Sequence, residues 1–240
     1  MESPILTTMV VLYSMGVRLD TTRLVTSLPL TSVFIKLEKQ GVLKRGESKK
    51  DRIRHRVKPA APKRTTGFGH NSITMVLLST GNETLREKEI TVKIFQNGVF
   101  HITGVLDERY DRDVVARIRA HIEAECPEAV LEGTWTPETR RVVLMNYKTS
   151  LRGVTNLSRE SLHAALRRQG YKTNYEPAVY PAVKVYFPDT KWIAKVFRTG
   201  QVILTGMTTA EECEALVQQL SPALIPAVEP HGSAALPMPG

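Results

Sequence analysis

No apolar run in this chain approaches the ~18 residues of a membrane span, and Met1 to Val11 has neither a basic leader nor a cleavage site, so no secretory signal is expected. There are only two cysteines, Cys126 and Cys213. Two thiols cannot build a disulfide framework or a four-ligand zinc site, and their scarcity points to a reducing compartment. Aromatic residues are sparse, at 6%. The six histidines are scattered; none stands in an H-x-x-x-H or His/Cys pair of metal-ligating spacing. Neither a phosphate-binding glycine loop nor a G-x-S-x-G turn occurs. The acid pairs Asp107/Glu108 and Glu211/Glu212 sit where helices begin, and the helix dipole accounts for them there. These absences argue against a membrane protein, a disulfide scaffold and an enzyme, and imply no cofactor or metal.

What is present is a sizeable apolar fraction, 42% of 240 residues, and a formal charge of +9. The apolar content is enough for a packed core. The charge points to an acidic partner, nucleic acid first, and it is concentrated in one place. Residues 39–66 hold eleven of the 33 Lys and Arg and two of the 24 Asp and Glu, leaving 22 charges of each sign elsewhere. With two prolines and no stable apolar period, this segment reads as a long loop or a largely disordered insertion. Its Lys44, Arg45, Lys49, Lys50, Arg52, Arg54, Arg56, Lys58, Lys63 and Arg64 form either a solvated charge run or localisation signal, or an arm that contacts phosphates. The Pro/Gly/Ala-rich tail, 226–240, reads as disordered.

The chain repeats itself. Residues 93–104 read KIFQNGVFHITG and residues 195–206 read KVFRTGQVILTG. Lys, Phe, Gly, Thr and Gly recur at a constant offset of 102, which makes a coincidental pair of hairpins the weaker reading. Each block has the form of a β-hairpin with a glycine turn. A helix pattern follows each one. In the first, Val114, Val115, Ile118 and Ile122 share a face. In the second, Thr209 and Glu212 have capping-box spacing, and Cys213, Leu216, Val217 and Leu220 form the apolar stripe. Upstream, residues 5–14 and 141–149 read as strands. Leu19-Asp20 with Leu24, and Leu157-Ser158 with Leu162, match an N-cap flanked by a hydrophobic staple. This second correspondence has an offset of 138. One insertion of 36 residues in the first half, about the size of the basic segment, reconciles the two offsets. The expected architecture is α+β: a tandem pseudo-twofold repeat whose curved antiparallel sheet carries its helices on one face. The first repeat spans 1–130, interrupted at about 39–66, and the second spans 131–225.

The doubled pattern of strand, Phe, glycine turn, strand, Thr-Gly and helix resembles the TATA-binding protein family. Residues 16–20, GVRLD, and 175–181, YEPAVYP, are similar to segments of that family. The resemblance covers about residues 5–38, 68–126 and 140–225. The long insertion and FGHNSITMVLL after it look more like divergent homologues from large DNA viruses.

The resemblance implies a saddle whose concave, helix-free face binds the DNA minor groove and wedges two pairs of aromatic rings between base steps. A minor groove offers few donors, so an apolar and hydroxylated surface suits it; Val10, Thr103, Ile203 and Thr205 fit that face. Carried over by position, the wedges are Phe95, Tyr180 and Phe197, with Phe68 as the fourth if the insertion lies upstream of the strand SITMVLL and Leu30 in its place otherwise. Thr8 takes the position of one family Asn, and Asn146 can take the other only with a shifted register, so specificity at the central base steps is in question. Val99 and Gln201 stand where the family has phosphate-binding lysines, and Lys93 and Lys195 are candidates to compensate. The ordinary alternative for the aromatics is core packing, and for His101 a polar surface role.

The implied function is a general transcription initiation factor, monomeric on A·T-rich double-stranded DNA. It would present a bent promoter to a B-type initiation factor and a DNA-dependent RNA polymerase, through the convex helices at 107–125 and 209–220 and the edge of the second half. It would act in a nucleus or, if viral, in a cytoplasmic factory or virion. Two alternatives are a sequence-indifferent nucleic-acid binder driven by the insertion and a degenerate saddle used as a protein scaffold.

Overall fold

The computed structural model describes residues 1–55, 71–136 and 139–228. Phe68, Arg56, Lys58, Lys63, Arg64 and the tail from 229 lie outside the described residues. The chain divides into two compact units, Thr8–Val143 and Met1–Thr7 with Leu144–Gly240.

In the first unit, β1 (Ile5–Ser14), β3 (Phe34–Lys39), β4 (Leu43–Gly46), β5 (Ser72–Ser79), β6 (Lys88–Phe95) and β7 (Val99–Val105) make an antiparallel sheet. Its order is β1-β7-β6-β5-β3-β4. Two helices, α1 (Thr21–Ser27) and α3 (Glu108–Glu125), pack on it. A short pair, β2 (Val17–Leu19) with β8 (Val130–Gly133), forms beside them, and α2 (Lys49–His55) lies in the basic segment. In the other unit, β10 (Lys172–Asn174), β11 (Ala182–Tyr186), β12 (Ile193–Phe197), β13 (Gln201–Met207) and β9 (Thr139–Ser150) follow one another across the sheet. Here α4 (Arg159–Arg168) and α5 (Ala210–Val228) supply the helices.

Apart from the short pair β2 and β8, the order of elements is the same in both. Strand, helix, strand, strand, hairpin and helix recur, with β4 and α2 added between β3 and β5 of the first half only. The pairing recurs as well: Ser72↔Phe95 and Lys93↔His101 in one half match Ala182↔Phe197 and Lys195↔Ile203 in the other. The fold is α+β with a tandem repeat.

Alternation along the strands builds the core. Ile73, Met75 and Leu77, Ile90, Val92 and Ile94, and Phe100 and Ile102 are fully buried or nearly so. They point to the face covered by α1 and α3, whose Leu24, Val25, Val114, Val115, Ile118 and Ile122 are fully buried. In the second half, Val183, Val185, Ala194, Val196, Val202 and Leu204 meet Leu162, Leu166, Cys213, Leu216 and Leu220. Each fully buried aliphatic side chain contributes about 1.5–3 kcal/mol. Burial pushes the Cys213 thiol up to about 11, as expected of a cysteine acting as a small apolar side chain. The caps form as their spacing predicts: Asp20 accepts from the Thr22 and Arg23 N–H groups, Ser158 from Ser161, and Thr209 from Glu212.

The basic segment departs from the expectation of a disordered loop. Its first part is folded, as β4 and α2, because its charges have internal partners. The Arg45 guanidinium donates to the carbonyls of Val25, Thr26 and Leu28 at 3.3, 3.2 and 2.8 Å. It thereby satisfies the end of α1, where carbonyls lack helical partners. Arg45 is a capping residue rather than a phosphate contact. Lys44, on the other side of the sheet, is exposed but paired, 3.2 Å from Asp51. Lys49, Lys50 and Arg52 are exposed, and Arg54 lies in α2.

The repeated turn glycine has a physical cause. Gly98 and Gly200 have φ of +74° and +77°. A Cβ at Gly98 would stand 2.1 Å from the Val17 carbonyl, and one at Gly200 2.6 Å from that of Val154. Matching backbone bonds hold each turn against that segment: Leu19 N–H to Gln96 O at 2.8 Å, and Leu157 N–H to Arg198 O at 2.7 Å. Gly104 shares a positive φ, +85°, but has nothing within 4 Å of its Cβ position. Gly98→Ala is therefore expected to destabilise the protein by about 2 kcal/mol or more, and Gly104→Ala by about 1 kcal/mol. Equilibrium urea unfolding of the two variants checks the difference; equal losses would contradict it.

Candidate nucleic-acid interface

The face of each sheet turned away from its helices carries the other half of the alternation. In the second half this face presents Lys184 and Tyr186, Ile193, Lys195 and Phe197, Ile203 and Thr205, and Asn146 and Lys148, none of them fully buried. Pairing aligns Asn174, Lys184, Lys195, Ile203 and Lys148 in one transverse row. Three lysines thus share one row of the open face, Lys184 beside Lys195 and Lys148 beyond Ile203, a favourable footing for an anion and, for the adjacent pair, an unfavourable one for each other.

At one end of this face Tyr180 and Phe197 meet edge to face, with ring centroids 6.0 Å apart and planes at 62°. Such tilted pairs are the favoured aromatic geometry. Phe197 ends β12, and its carbonyl accepts from Gly200 N–H at 3.0 Å, closing the turn. Tyr180 comes from the loop after β10. A turn fixes it there, with the Tyr180 N–H donating to Glu176 O at 2.9 Å. Helix α4 pins the same loop, through Arg159 to Pro181 O at 2.7 Å and Tyr175 OH to Glu160 at 3.0 Å. The ammonium groups of Lys184 and Lys195 stand 5.0 and 5.8 Å from the Tyr180 ring centroid, within cation–π range.

In the first half Phe95 ends β6 as Phe197 ends β12. It is half-buried, and its carbonyl accepts from Gly98 N–H at 3.0 Å. The transverse row here reads Lys44, Glu38, Thr74, Lys93, His101 and Leu12, far less basic than its counterpart. Thr103 lies between Thr91 and Val10. Thr8 is half-exposed, and Val10 is only 8% exposed.

The strand register places Asn146 on the open face. Tyr147 pairs with Leu204 as Val11 pairs with Ile102, so Asn146 corresponds to Val10, and the counterpart of Thr8 is Leu144. Thr205 donates its hydroxyl to the Asn146 side-chain oxygen, and the Thr7 hydroxyl donates to the Asn146 carbonyl at 3.0 Å. Lys148, Lys172 and Lys184 are the basic residues that sequence reading missed. Single lysines at separate strand positions leave no cluster in the sequence, and only the pairing register brings Lys148 and Lys184 into one row with Lys195, with Lys172 beside Tyr186 in another. Among the described residues, no group of three or more His, Cys, Asp or Glu could hold a metal ion.

Against known proteins, the model of the family described as transcription factor TFIID, or TATA-binding protein, matches residues 156–226. The solved TATA-binding protein of Methanococcus jannaschii superposes with a TM-score of 0.59 at 14% identity, covering 95% of this chain and 100% of that one. None of the curated proteins matches the chain in sequence. The fold is thus that of a repeated sheet-and-helix protein, with one sheet face in each half turned away from the core helices. That fold is similar to the archaeal TATA-binding protein's, and the sequence likeness to the family lies in residues 156–226.

Burial, with the Lys93 charge adding to it, depresses the His101 pKa below its ordinary 6.5. Because the folded value is the lower one, the stability this neutral ring contributes is present above pH 6.5 and is lost as pH falls through the unfolded and then the folded value. His101 is expected to titrate below 6.5 by NMR of its ring protons. Lys93→Gln is expected to raise the midpoint without restoring 6.5. A midpoint at or above 6.5 in the parent would contradict the assignment.

Proposed function

We propose that the protein is a transcription factor that binds and bends DNA through the minor groove, using in each half the sheet face turned away from the core helices. The observation that carries this reading is the Tyr180–Phe197 pair at the end of an open face crossed by three aligned lysines. In the TATA-binding protein, aromatic wedges of this kind unstack base steps and kink the duplex, and that mechanism is transferred here from the family. Tyr180 and Phe197 form the wedge of the second half and Phe95 that of the first. Phe68 stands four residues before Ser72, whereas Tyr180 stands two before Ala182, so a fourth wedge from Phe68 requires two extra residues between ring and strand.

Chemically, Thr103, Thr205 and Ile203 present hydroxyls and methyls to a groove poor in donors. Asn146 adds an amide beside Thr205. Lys148, Lys184 and Lys195 supply the phosphate attraction that Val99 and Gln201 lack. With Leu144 and Thr8 at the central positions, discrimination there is weaker than an amide pair would give. Bent DNA would then be presented to a B-type initiation factor and an RNA polymerase through α3 and α5. On this reading the protein acts as a monomer on DNA, in a nucleus or, if viral, a cytoplasmic factory or virion.

The test compares a short duplex with an A·T-rich centre and a G·C-rich control at two salt concentrations, with the bend read by energy transfer between end labels. A bent, A·T-selective complex is expected, and Phe197→Ala should weaken it by about 10- to 100-fold, the range for loss of one base–aromatic contact. Equal, unbent, salt-sensitive binding to both duplexes, unchanged in the variant, would overturn the proposal in favour of a sequence-indifferent binder.

A further inference from the structure

The two open faces differ in what covers them. In the first half, α2 lies against the outer face of β3, β5 and β6. Asp51 of α2 is 3.0 Å from the Lys36 ammonium and 3.2 Å from that of Lys44, and both lysines are on the outer side of the sheet. The Lys49 N–H donates to the Glu89 carboxylate of β6 at 2.9 Å. Together with Lys50 and Asp51, the sheet residues Thr74, Thr91 and Lys93 line a cleft beneath the helix.

Matched positions show the effect. By strand pairing, Lys36 corresponds to Lys172 and Val76 to Tyr186. Lys36 is 6% exposed and Val76 3%, whereas Lys172 is exposed and Tyr186 half-buried. The same sheet position is open in one half and closed in the other, and α2 is the element added on the closed side.

We propose that α2 is a displaceable cover of the first-half face, and that the Asp51 carboxylate occupies, between Lys36 and Lys44, the place that a backbone phosphate of duplex DNA takes when the cover lifts. The inference rests on the DNA-binding reading above for its ligand, but not for the cover itself. Carboxylate and phosphate make the same charge-assisted contacts with ammonium groups, so the free protein satisfies internally the two lysines that its ligand would satisfy. Glu38, a strand neighbour on the same face, is also 2.7 Å from Lys36, and would keep Lys36 paired when Asp51 leaves. A competent state populated in only a fraction of molecules lowers apparent affinity by that fraction. The first half would therefore engage DNA only at the cost of displacing its own insertion, while the second half is open from the start.

The experiment uses the full chain carrying Thr74→Cys, with Asp51→Asn, and with Glu47→Gln as a control of equal charge change outside the clasp. Cys126 and Cys213 are buried, so the cleft thiol reports through its rate of reaction with Ellman's reagent. Labelling is expected to be about tenfold faster with Asp51→Asn, and A·T-rich duplex affinity about tenfold tighter, with neither change in Glu47→Gln; tenfold in affinity corresponds to about 1.4 kcal/mol. Equal labelling in all three proteins would overturn the cover. Faster labelling with unchanged duplex affinity would overturn the competition with phosphate. Faster labelling in a protein that binds no duplex in any form would support the cover and overturn the DNA-binding reading instead. Thermal melts of all three proteins separate these outcomes from unfolding.

Discussion

In each half the apolar core lies on one side of the strands only, beneath α1 and α3 or α4 and α5, and the rest of the structure depends on that constraint. It divides every strand residue by residue. Ile94 and Val196 are fully buried, while their neighbours Lys93, Phe95, Lys195 and Phe197 are held outward. The outward set needs no core complementarity, so it is free to carry charge, hydroxyls and rings. The inward set fixes the register that aligns them. A one-residue slip in β12 would send Phe197 and Lys195 into the core and bring Val196 to the surface. The turn glycines, seated on the Val17 and Val154 carbonyls, lock that register at the hairpin end.

The neutrality of the chain outside residues 39–66 conceals a separation of charge by face. Lys148, Lys184 and Lys195 lie on the open side, while α5 behind them carries Glu211, Glu212 and Glu214 and no Lys or Arg. A count along the sequence cancels them; the sheet does not. The two halves also obtain their charge differently. The second half has its lysines in its own strands. The first half has Lys93 and His101 in the matching row, with Lys36 and Lys44 tied to Asp51. The two halves share one strand register but carry different surfaces, one open and basic, the other closed over by its insertion.

The repeat was legible because it rests on local rules. A glycine turn that no side chain can replace, an N-cap with its flanking leucines, and a Phe at the end of a strand all leave fixed spacings. The helices at α3 and α5 and their apolar stripes were legible for the same reason. What could not be read were long-range pairings. The folding of β4 and α2 depends on Asp51 meeting Lys36 fifteen residues away and on Arg45 reaching the end of α1. Both are invisible in a segment whose composition alone reads as solvated. The place of Asn146 likewise depends on β9 pairing with β13, since the link from strand to helix is two residues longer in the second half and the cap spacing misleads by that amount. The aligned lysines needed four strands in register before they became one feature.

The central claim is that the open faces read a minor groove. Replacing the A·T pairs of a bound duplex by inosine·cytosine pairs tests it most directly. The exchange gives the major groove a G·C-like pattern but leaves the minor groove without the guanine amino group, as in A·T. The account predicts that affinity and bend survive the exchange and fall when guanine replaces inosine. Loss of binding on the inosine duplex, with recovery only when the A·T major-groove pattern is restored, would contradict it.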